Sequence, residues 1–568
     1  MAVIGIDLGT TNSLAAIWKN GEAVIIPNSN GSNLTPSVVS VLDDSTVLVG
    51  QSAKERLITH PKETASCFKR TMGQKYFYDL GDKVFSSVEL SALVLKNLKQ
   101  DAEKFLGEEV EEAVISVPAY FNQHQRKATV NAAKYAGLKV ERLVSEPTAA
   151  ALCHGIQNAE GMSTALVLDL GGGTFDVSLL ELFDGVIDVK AVSGDNQLGG
   201  EDYTRAIAAW FLSVNDLVDK LSPEDMSKVM KLSEIAKRNV SADENASTVI
   251  STTLLGKEIN STLTYKTFQT ITADLQNRVL KPIKKVLKDA EITREDVDAV
   301  ILMGGATRMV NFFDYAVEIF GNKIISGYNP DETVARGAAV LAAMKQHDAA
   351  FKETVLTDVC PFSLGVEAYD ESADIFSDTT KRSTAFSPII ERNTPVPVSI
   401  KKMYSSMFPG QKSVEINVYQ GESLTLSEDL FLGKLKVSLP KSKEIEEISI
   451  RFTYDINGLL EVEATTLSDN KTSKLFLNNQ NVDMTEEEIE NVFSKLESIK
   501  IAPWEKQENL AIIERAKRLF EETVGEKREL VDEALSKFNK ALSTQNPATI
   551  KNVAEEVTKF FDSIESEW

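Results

Sequence analysis

Residues 3–17 read VIGIDLGTTNSLAAI, and residues 166–180 read LVLDLGGGTFDVSLL. Both run from an apolar stretch through Asp-Leu-Gly into a Gly/Thr-rich turn and out along a second apolar stretch. The two aspartates, Asp7 and Asp169, stand 162 residues apart. Each second stretch meets a turn dipeptide, Asn20-Gly21 or Asp184-Gly185, and then a third apolar run, Val24–Ile26 or Val186–Val189. Asn-Gly and Asp-Gly suit the type I′ hairpin, which needs positive φ at both central positions. The pattern predicts one three-stranded unit occurring twice. It predicts two facing subdomains, each presenting one loop to a shared cleft.

Such loops have a chemistry. Glycines let backbone N–H groups approach phosphate oxygens, and threonine hydroxyls add donors. An aspartate just before each turn suits a hydrated Mg²⁺. One Gly-rich turn is a weak signal, but two matched turns, each led by aspartate, are a strong one. Two purely structural hairpins would leave the joint recurrence of Asp, Gly and Thr unexplained. A third glycine pair, Gly304-Gly305, follows another apolar strand and, with Arg308, is a candidate to flank a nucleotide; on its own it is equally a strand-to-helix turn.

Working outward, Asn122–Ala136 is Ala-rich and stops at Gly137. Thr148–Leu152 and Asp331–Met344 read as further helices, and Asp298–Met303 as a strand. Residues 1–350 thus alternate strands and helices, the α/β pattern. Thr354–Asp358 looks like a linker. Beyond it, Val414, Ile416 and Val418, then Ile448, Ile450, Phe452 and Tyr454, then Leu460, Val462 and Ala464 alternate with polar residues, with an Asn457-Gly458 turn signal. That period of two predicts an antiparallel β region. The last stretch is helical. Thr485 and Glu488 form a capping box, Pro503 breaks a helix, and Asn546-Pro547 is an N-cap followed by proline. Leu510, Ile513, Lys517, Phe520 and Val524 form one largely apolar stripe, and a small helical bundle is the simplest outcome.

Composition narrows the function. The 568 residues contain 43% hydrophobic and 26% charged residues, ample for several cores. The formal charge of −23 repels a phosphodiester backbone and an anionic bilayer, so neither nucleic acid nor membrane is expected as a partner. No apolar run has the roughly 18 residues of a spanning helix. MAVIGIDLGTTN has no basic n-region, and Asp7 interrupts it, so it reads as a strand and not a signal peptide. Cys67, Cys153 and Cys360 are scattered, as are His60, His124, His154 and His347. They suggest no disulfide framework or zinc site, but reduced, buried thiols in a cytoplasmic protein.

The motifs together carry a resemblance. GIDLGTTNS (5–13), FKRTMG (68–73), VPAYFN (117–122), EPTAAAL (146–152), DLGGGTFDVS (169–178), GGEDY (199–203) and GGATRM (304–309) stand in one order. NPDETVARGAAVLAA (329–343), DVCPFSLGVE (358–367) and VYQGE (418–422) continue it. This order resembles the DnaK-type heat-shock chaperones over nearly the whole chain, and ISVPAYF and SPIIERNTPVPV look most like the bacterial HscC branch. The resemblance implies a multidomain chain: an actin-like α/β ATPase domain of two similar subdomains (1–353), a linker (354–358), a β-sandwich peptide-binding domain (359–483) and a short helical lid (484–568).

It also implies roles for residues at matching positions. Asp7 and Asp169 resemble the Mg²⁺-organising carboxylates, acting through coordinated water. Gly9, Thr10, Thr11 and Asn12 resemble the first phosphate loop, and Gly171, Gly172, Gly173 and Thr174 the second. Lys69 matches the catalytic lysine, and Glu146 and Asp176 the carboxylates that tune metal and water. Gly199, Gly200 and Glu201 join the nucleotide site. Glu234, Lys237, Arg238 and Ser241 have the helical spacing of the adenosine-holding residues, with Gly304, Gly305, Arg308 and Asp331 opposite. Pro118 and Arg126 match a pair that couples nucleotide state to the partner domain. Tyr404, Met407, Val414 and Ile416 align with the peptide pocket. Alone, Glu234 to Ser241 would be an ordinary polar helix face, and Val414 and Ile416 are equally sandwich core.

The implied activity is ATP hydrolysis controlling peptide capture and release, with ATP/ADP, Mg²⁺ and K⁺ as ligands. Implied partners are unfolded or specific client polypeptides, a J-domain co-chaperone and a nucleotide-exchange factor, around a monomer. Departures from the family point to specialisation. Thr357 interrupts the apolar linker and would weaken docking. The loop 369–385 is long, and the helical tail is short and ends SIESEW without an acidic EEVD sequence. The alternative is a non-hydrolysing exchange factor or holdase of the same family, against which the intact Lys69, Asp7, Asp169 and Thr174 set argues. A metabolite kinase on the same ATPase fold would not need the two regions after residue 358.

Overall fold

The computed structural model describes residues 2–140, 142–153, 163–183, 186–325, 329–346, 355–369, 384–423, 425–456, 458–477, 500 and 502–566. The chain divides into two compact units, one of them Met1–Phe362 and the other built on Ser363–Leu477 and the C-terminal helices.

The first unit contains the duplicated plan. Strand Ala2–Asp7 pairs antiparallel with Asn12–Lys19, which pairs antiparallel with Glu22–Ile26. On its other side Ala2–Asp7 runs parallel to Val110–Val117. In the second sheet Ser163–Leu170, Phe175–Phe183 and Val186–Asp195 form the same antiparallel triplet, and Ala299–Met303 runs parallel to the first of them. At the first hairpin Asn20 has φ 56° and Gly21 φ 86°, the pair of positive values a type I′ turn requires. Asp184-Gly185 lies outside the described residues.

Two small-residue helices lie where the sheets meet. Thr333–Lys345 crosses Ala2–Asp7 so closely that a Cβ on Gly5 would lie 2.2 Å from the Ala339 nitrogen. A Cβ on Gly337 would lie 1.6 Å from the carbonyl oxygen of Ala149, in helix Glu146–Cys153. The Ala-rich runs read as helices are thus close-packing faces, and one apolar core joins Val3 and Val114 of one sheet to Val167 and Leu180 of the other through Ala149 and Ala338.

The segment read as a linker is a strand. Val355–Val359 runs parallel to Val186–Asp195, pairing Val355 with Val186 and Thr357 with Asp188. Thr357, expected to weaken docking, donates its hydroxyl to the Asp188 carboxylate. Its polarity is therefore satisfied within the sheet. Thr354 lies outside the described residues.

The second unit has two antiparallel four-stranded sheets. One is ordered Thr384–Ile390, Leu364–Tyr369, Ser413–Gln420, Leu430–Ser438; the other Val398–Ser405, Glu447–Tyr454, Leu460–Thr466, Lys471–Leu477. The period-two reading holds: Ile448, Ile450, Phe452 and Tyr454 are all buried, as are Leu460, Val462 and Ala464. Gly458 takes φ 84°; Asn457, most of the 369–385 loop and the Thr485/Glu488 capping box lie outside the described residues.

Helices Gln507–Glu522, Glu526–Thr544 and Pro547–Ser566 pack around Ala516, Leu519, Val531, Phe538 and Phe561. Asn546 caps the last, its Oδ1 accepting from Ala548 N at 3.0 Å and Thr549 N at 3.2 Å. The expected stripe is corrected at its end. The first of these helices stops at Glu522, Thr523 is extended, and Val524 stands 81% exposed, while Ala516 and Leu519 supply the core face. Between the second and third, Gln545 turns left-handed at φ 53°. Its Oε1 accepts from Lys401 N at 3.1 Å and its Nε2 donates to Lys401 O at 2.7 Å. Lys401 lies on Val398–Ser405, an end strand of its sheet. The cysteines are free; Cys360 is buried, but Cys67 and Cys153 are only half-buried.

Candidate functional site

The two Asp-Leu-Gly turns face each other. A Cβ on Gly172 would fall 1.9 Å from Thr11 Oγ1, and one on Gly173 would fall 2.6 Å from Thr10 Cγ2. No residue with a side chain fits between these loops without moving them. Gly9 is equally confined, its added Cβ meeting Asn12 O at 2.0 Å. The second loop is braced from behind by helix Gly200–Val214, whose first N–H groups bind it: Gly200 N to Gly171 O and Glu201 N to Gly172 O, each 2.9 Å. A Cβ on Gly199 would strike Gly173 N at 2.4 Å. Thr174 is buried, and its carbonyl accepts from Gly171 N at 3.1 Å.

The strand ends carry acids into this gap. Asp7 ends its strand beside Ser116, which donates to its Oδ1 at 3.0 Å. Asp169 and Asp176 are cross-strand partners flanking the second turn. Lys69, in a 3₁₀ turn after the left-handed Cys67, is buried and donates to Glu146 Oε1 at 2.8 Å. Its ammonium also lies 5.6 Å from the Phe121 ring centre. Four carboxylates therefore surround one ammonium. Burial pushes the Asp7 carboxyl up to about 7, with Glu146 adding repulsion and Lys69 opposing it. Burial and then Glu146 likewise push Asp176 up to about 7. Burial, Glu146, Asp176 and Asp7 together hold Asp169 well above the usual carboxylate range. Burial alone would lower Lys69, but Glu146, Asp7 and Asp169 outweigh it and the net shift is upward.

This excess of negative charge fits a cation. Asp176 Oδ2 is buried without a hydrogen-bond partner. Among the described residues no three His, Cys, Asp or Glu side chains form a direct metal cage. Mg²⁺ commonly uses only one or two carboxylates plus waters and substrate phosphates. Asp7 and Asp169 match that donor set.

A second cluster adjoins the first through Gly200. On helix Pro223–Val240, Lys237 donates to Gly200 O at 2.9 Å and pairs with Glu234 Oε2 at 2.6 Å. Arg238 pairs with Glu234 Oε1 at 2.8 Å and is mostly exposed; Ser241, just past the helix, bonds Lys237 O at 2.6 Å. Opposite, Arg308 pairs with Asp331 at 2.8 Å, and Gly305 fits where a Cβ would meet Asp331 Oδ1 at 2.8 Å. Gly304, at φ 78°, leaves room for Leu170 O and Asp169 Oδ1. The third glycine pair therefore packs closely against both Asp169 and Asp331. Thr204, overlooked in the sequence, ties the cluster together by donating to Glu234 and accepting from Lys237.

Arg70 is the larger omission. It donates to Gly173 O at 3.1 Å and forks onto Asp202, on the helix that braces the second loop. Its one sequence signal is adjacency to Lys69. Arg126 donates to the carbonyls of Phe121 and Ala119, at 3.2 and 3.4 Å, gripping the turn after Pro118. It lies near enough to Asp176 and Asp358 to draw both carboxyls downward, though burial still leaves Asp358 raised. In the second unit the four pocket residues are not alike. Ile416 is buried, Val414 half-buried and Met407 exposed, while the Tyr404 hydroxyl meets Ser387 Oγ at 3.0 Å.

No helix among the described residues is long and apolar enough to cross a membrane. A family model described as "Hsp70 protein" matches residues 3–79 and 77–567, essentially the whole sequence. With the duplicated sheets and facing glycine loops beside that match, the chain belongs to the Hsp70 family and is a chaperone of that type.

Proposed function

We propose that this chaperone hydrolyses ATP and uses the hydrolysis to control capture and release of client polypeptides. The observation carrying this reading is the Lys69–Glu146 pair, buried among Asp7, Asp169 and Asp176 at the mouth of two facing glycine loops. Phosphoryl transfer needs positioning and electrostatic stabilisation more than a protein nucleophile. The backbone N–H groups of Thr10, Thr11, Gly172 and Gly173 hold the phosphates. Lys69 stabilises charge on the transferred group, and Glu146 and Asp176 orient water. Asp7 and Asp169 would hold Mg²⁺ through water, and the ion would supply charge neutralisation at the phosphate oxygens. Glu234, Lys237, Arg238 and Ser241, with Gly305, Arg308 and Asp331, hold the adenosine.

Coupling runs through Arg126, which grips the turn after Pro118 and faces both Asp176 and Asp358. A nucleotide shifts such an equilibrium only by its different affinity for the two states, so peptide and nucleotide affinities are reciprocally linked. A J-domain protein and an exchange factor are the expected regulators, and the motifs ISVPAYF and SPIIERNTPVPV look like those of the HscC branch. The test is single-turnover ATP hydrolysis by the full chain with and without an unfolded peptide, with Lys69→Ala alongside. Peptide should accelerate hydrolysis, and the substitution should abolish it. ATP binding without hydrolysis would overturn the proposal.

A further inference from the structure

A cavity of about 360 Å³ lies directly behind the carboxylate cluster, its wall including Tyr120, Gly194, Asn196, Arg278, Lys281 and Lys285. The partition between the two includes Tyr120 and Gly194, which adjoin both. Tyr120 donates its backbone N–H to Asp176 Oδ1 at 3.0 Å, and a Cβ on Gly194 would lie 2.9 Å from that same oxygen. Asn196 Nδ2 braces the partition by donating to Tyr120 O at 3.1 Å.

The charge on the two sides is opposite. In front stand Asp7, Glu146, Asp169 and Asp176 against one lysine. Behind, helix Ala273–Asp289 turns Arg278, Lys281 and Lys285 toward the cavity at three- and four-residue spacing, so they share a face. Asp195 is the one carboxylate in the lining, and Arg278 engages it with Nε at 2.9 Å and Nη2 at 2.7 Å. The Lys285 ammonium lies 5.7 Å from the Tyr120 ring centre. A basic, solvent-open recess is thus set into a chain whose formal charge is −23.

We infer that this cavity is a secondary oxyanion site that receives inorganic phosphate, the product of the hydrolysis proposed above, on which the inference rests. A freed phosphate in front of the partition is repelled by the carboxylates once its bond to the nucleotide is gone. Behind the partition it meets the field of Arg278, Lys281 and Lys285, and clefts of one charge sign raise transfer rates for ions of the other. Tyr120 is the element whose displacement would join the two sides. Its ring also lies 4.3 Å from that of Phe362, just past the docked strand Val355–Val359, so its displacement would be felt there.

The experiment uses the full chain with Mg²⁺ and ATP in single turnover. Acid quench reports cleavage, and a fluorescent phosphate-binding reporter reports release. Lys281→Glu/Lys285→Glu and the milder Lys281→Ala/Lys285→Ala alter side chains that are exposed or half-buried, and neither residue belongs to the site in front. Cleavage should stay within about twofold, while release slows on the order of tenfold in the charge reversal and less in the alanine pair. Titrating inorganic phosphate into the nucleotide-free chain, followed by phosphorus NMR line width, separates capture of product from uptake of bulk phosphate. Unchanged release in both variants overturns the inference, even if bulk phosphate binds. Absence of cleavage in the unaltered chain overturns the hydrolysis reading, and the inference with it.

Discussion

Arg70 Nη1 donates to Asp202 Oδ1 at 3.1 Å while Nη2 holds the other carboxylate oxygen, so one guanidinium ties the Lys69 turn to the helix bracing the second glycine loop. The same side chain also reaches Gly173 O. Breaking such a buried pair from one side leaves the other charge uncompensated. Arg70→Ala should destabilise the first unit by about 3–5 kcal/mol, read from urea denaturation. ADP dissociation should also quicken, because the second loop loses a brace. Asp202→Asn, which keeps the shape and part of the bonding, should cost less.

The raised carboxyl groups set a pH dependence. Asp7 and Asp176 are pushed up to about 7, whereas in the unfolded chain they ionise near the ordinary aspartate value of 3.8. A group whose folded-state pKa is raised gives stability that is full below the unfolded value and lost as pH climbs through the folded one. The nucleotide-free chain should therefore lose stability from about pH 4 to about pH 7 through these groups. A cation there removes that penalty. The gain in Tm on adding Mg²⁺ and ADP should widen from pH 5 to pH 7.5, and Asp7→Asn should flatten the trend.

Gly337→Ala tests the helix crossing at the centre of the first unit. The added methyl would lie 1.6 Å from Ala149 O, a backbone atom with no room to yield. Overpacking of this kind costs about 1–3 kcal/mol and sometimes more. Urea denaturation should show a lower midpoint. Gly256→Ala, where the surroundings are open but φ is +73°, should show only the smaller cost of a left-handed backbone.

Asp358 tests the coupling path. It is half-buried on the docked strand, and Arg126 and Arg142 stabilise its charge against desolvation. Asp358→Asn should reduce the peptide stimulation of hydrolysis to near unity and leave unstimulated single-turnover rates within about threefold, a change below 1 kcal/mol. An undiminished peptide response would remove Asp358 from the path.

What the sequence made legible was local. Asp7 and Asp169 each sit beside their own loop, so strand, acid and turn are read together, and Asn20-Gly21 encodes its hairpin in two residues. What it hid was tertiary. Asp202 lies 132 residues from Arg70. Residues 354–358 read as a linker because the partner of the strand Val355–Val359 begins at Val186 and no nearby turn announces the pairing. The apolar periodicity places Val524 on a helix face because it runs past Glu522, where the backbone leaves the helix. Ile416 fits a peptide pocket and a sandwich core equally well by pattern, and the structure places it buried in its strand.

The left-handed Gln545 has a consequence for solubility. A carboxamide carries the same donor and acceptor as a peptide unit, and here it occupies both main-chain groups of Lys401 on a terminal strand. An uncovered strand edge is a template onto which other chains can add, and proteins blunt such edges by covering them. Gln545 acts as a one-residue counterfeit strand. The chain thereby closes part of its own sheet to the pairing that drives fibril growth.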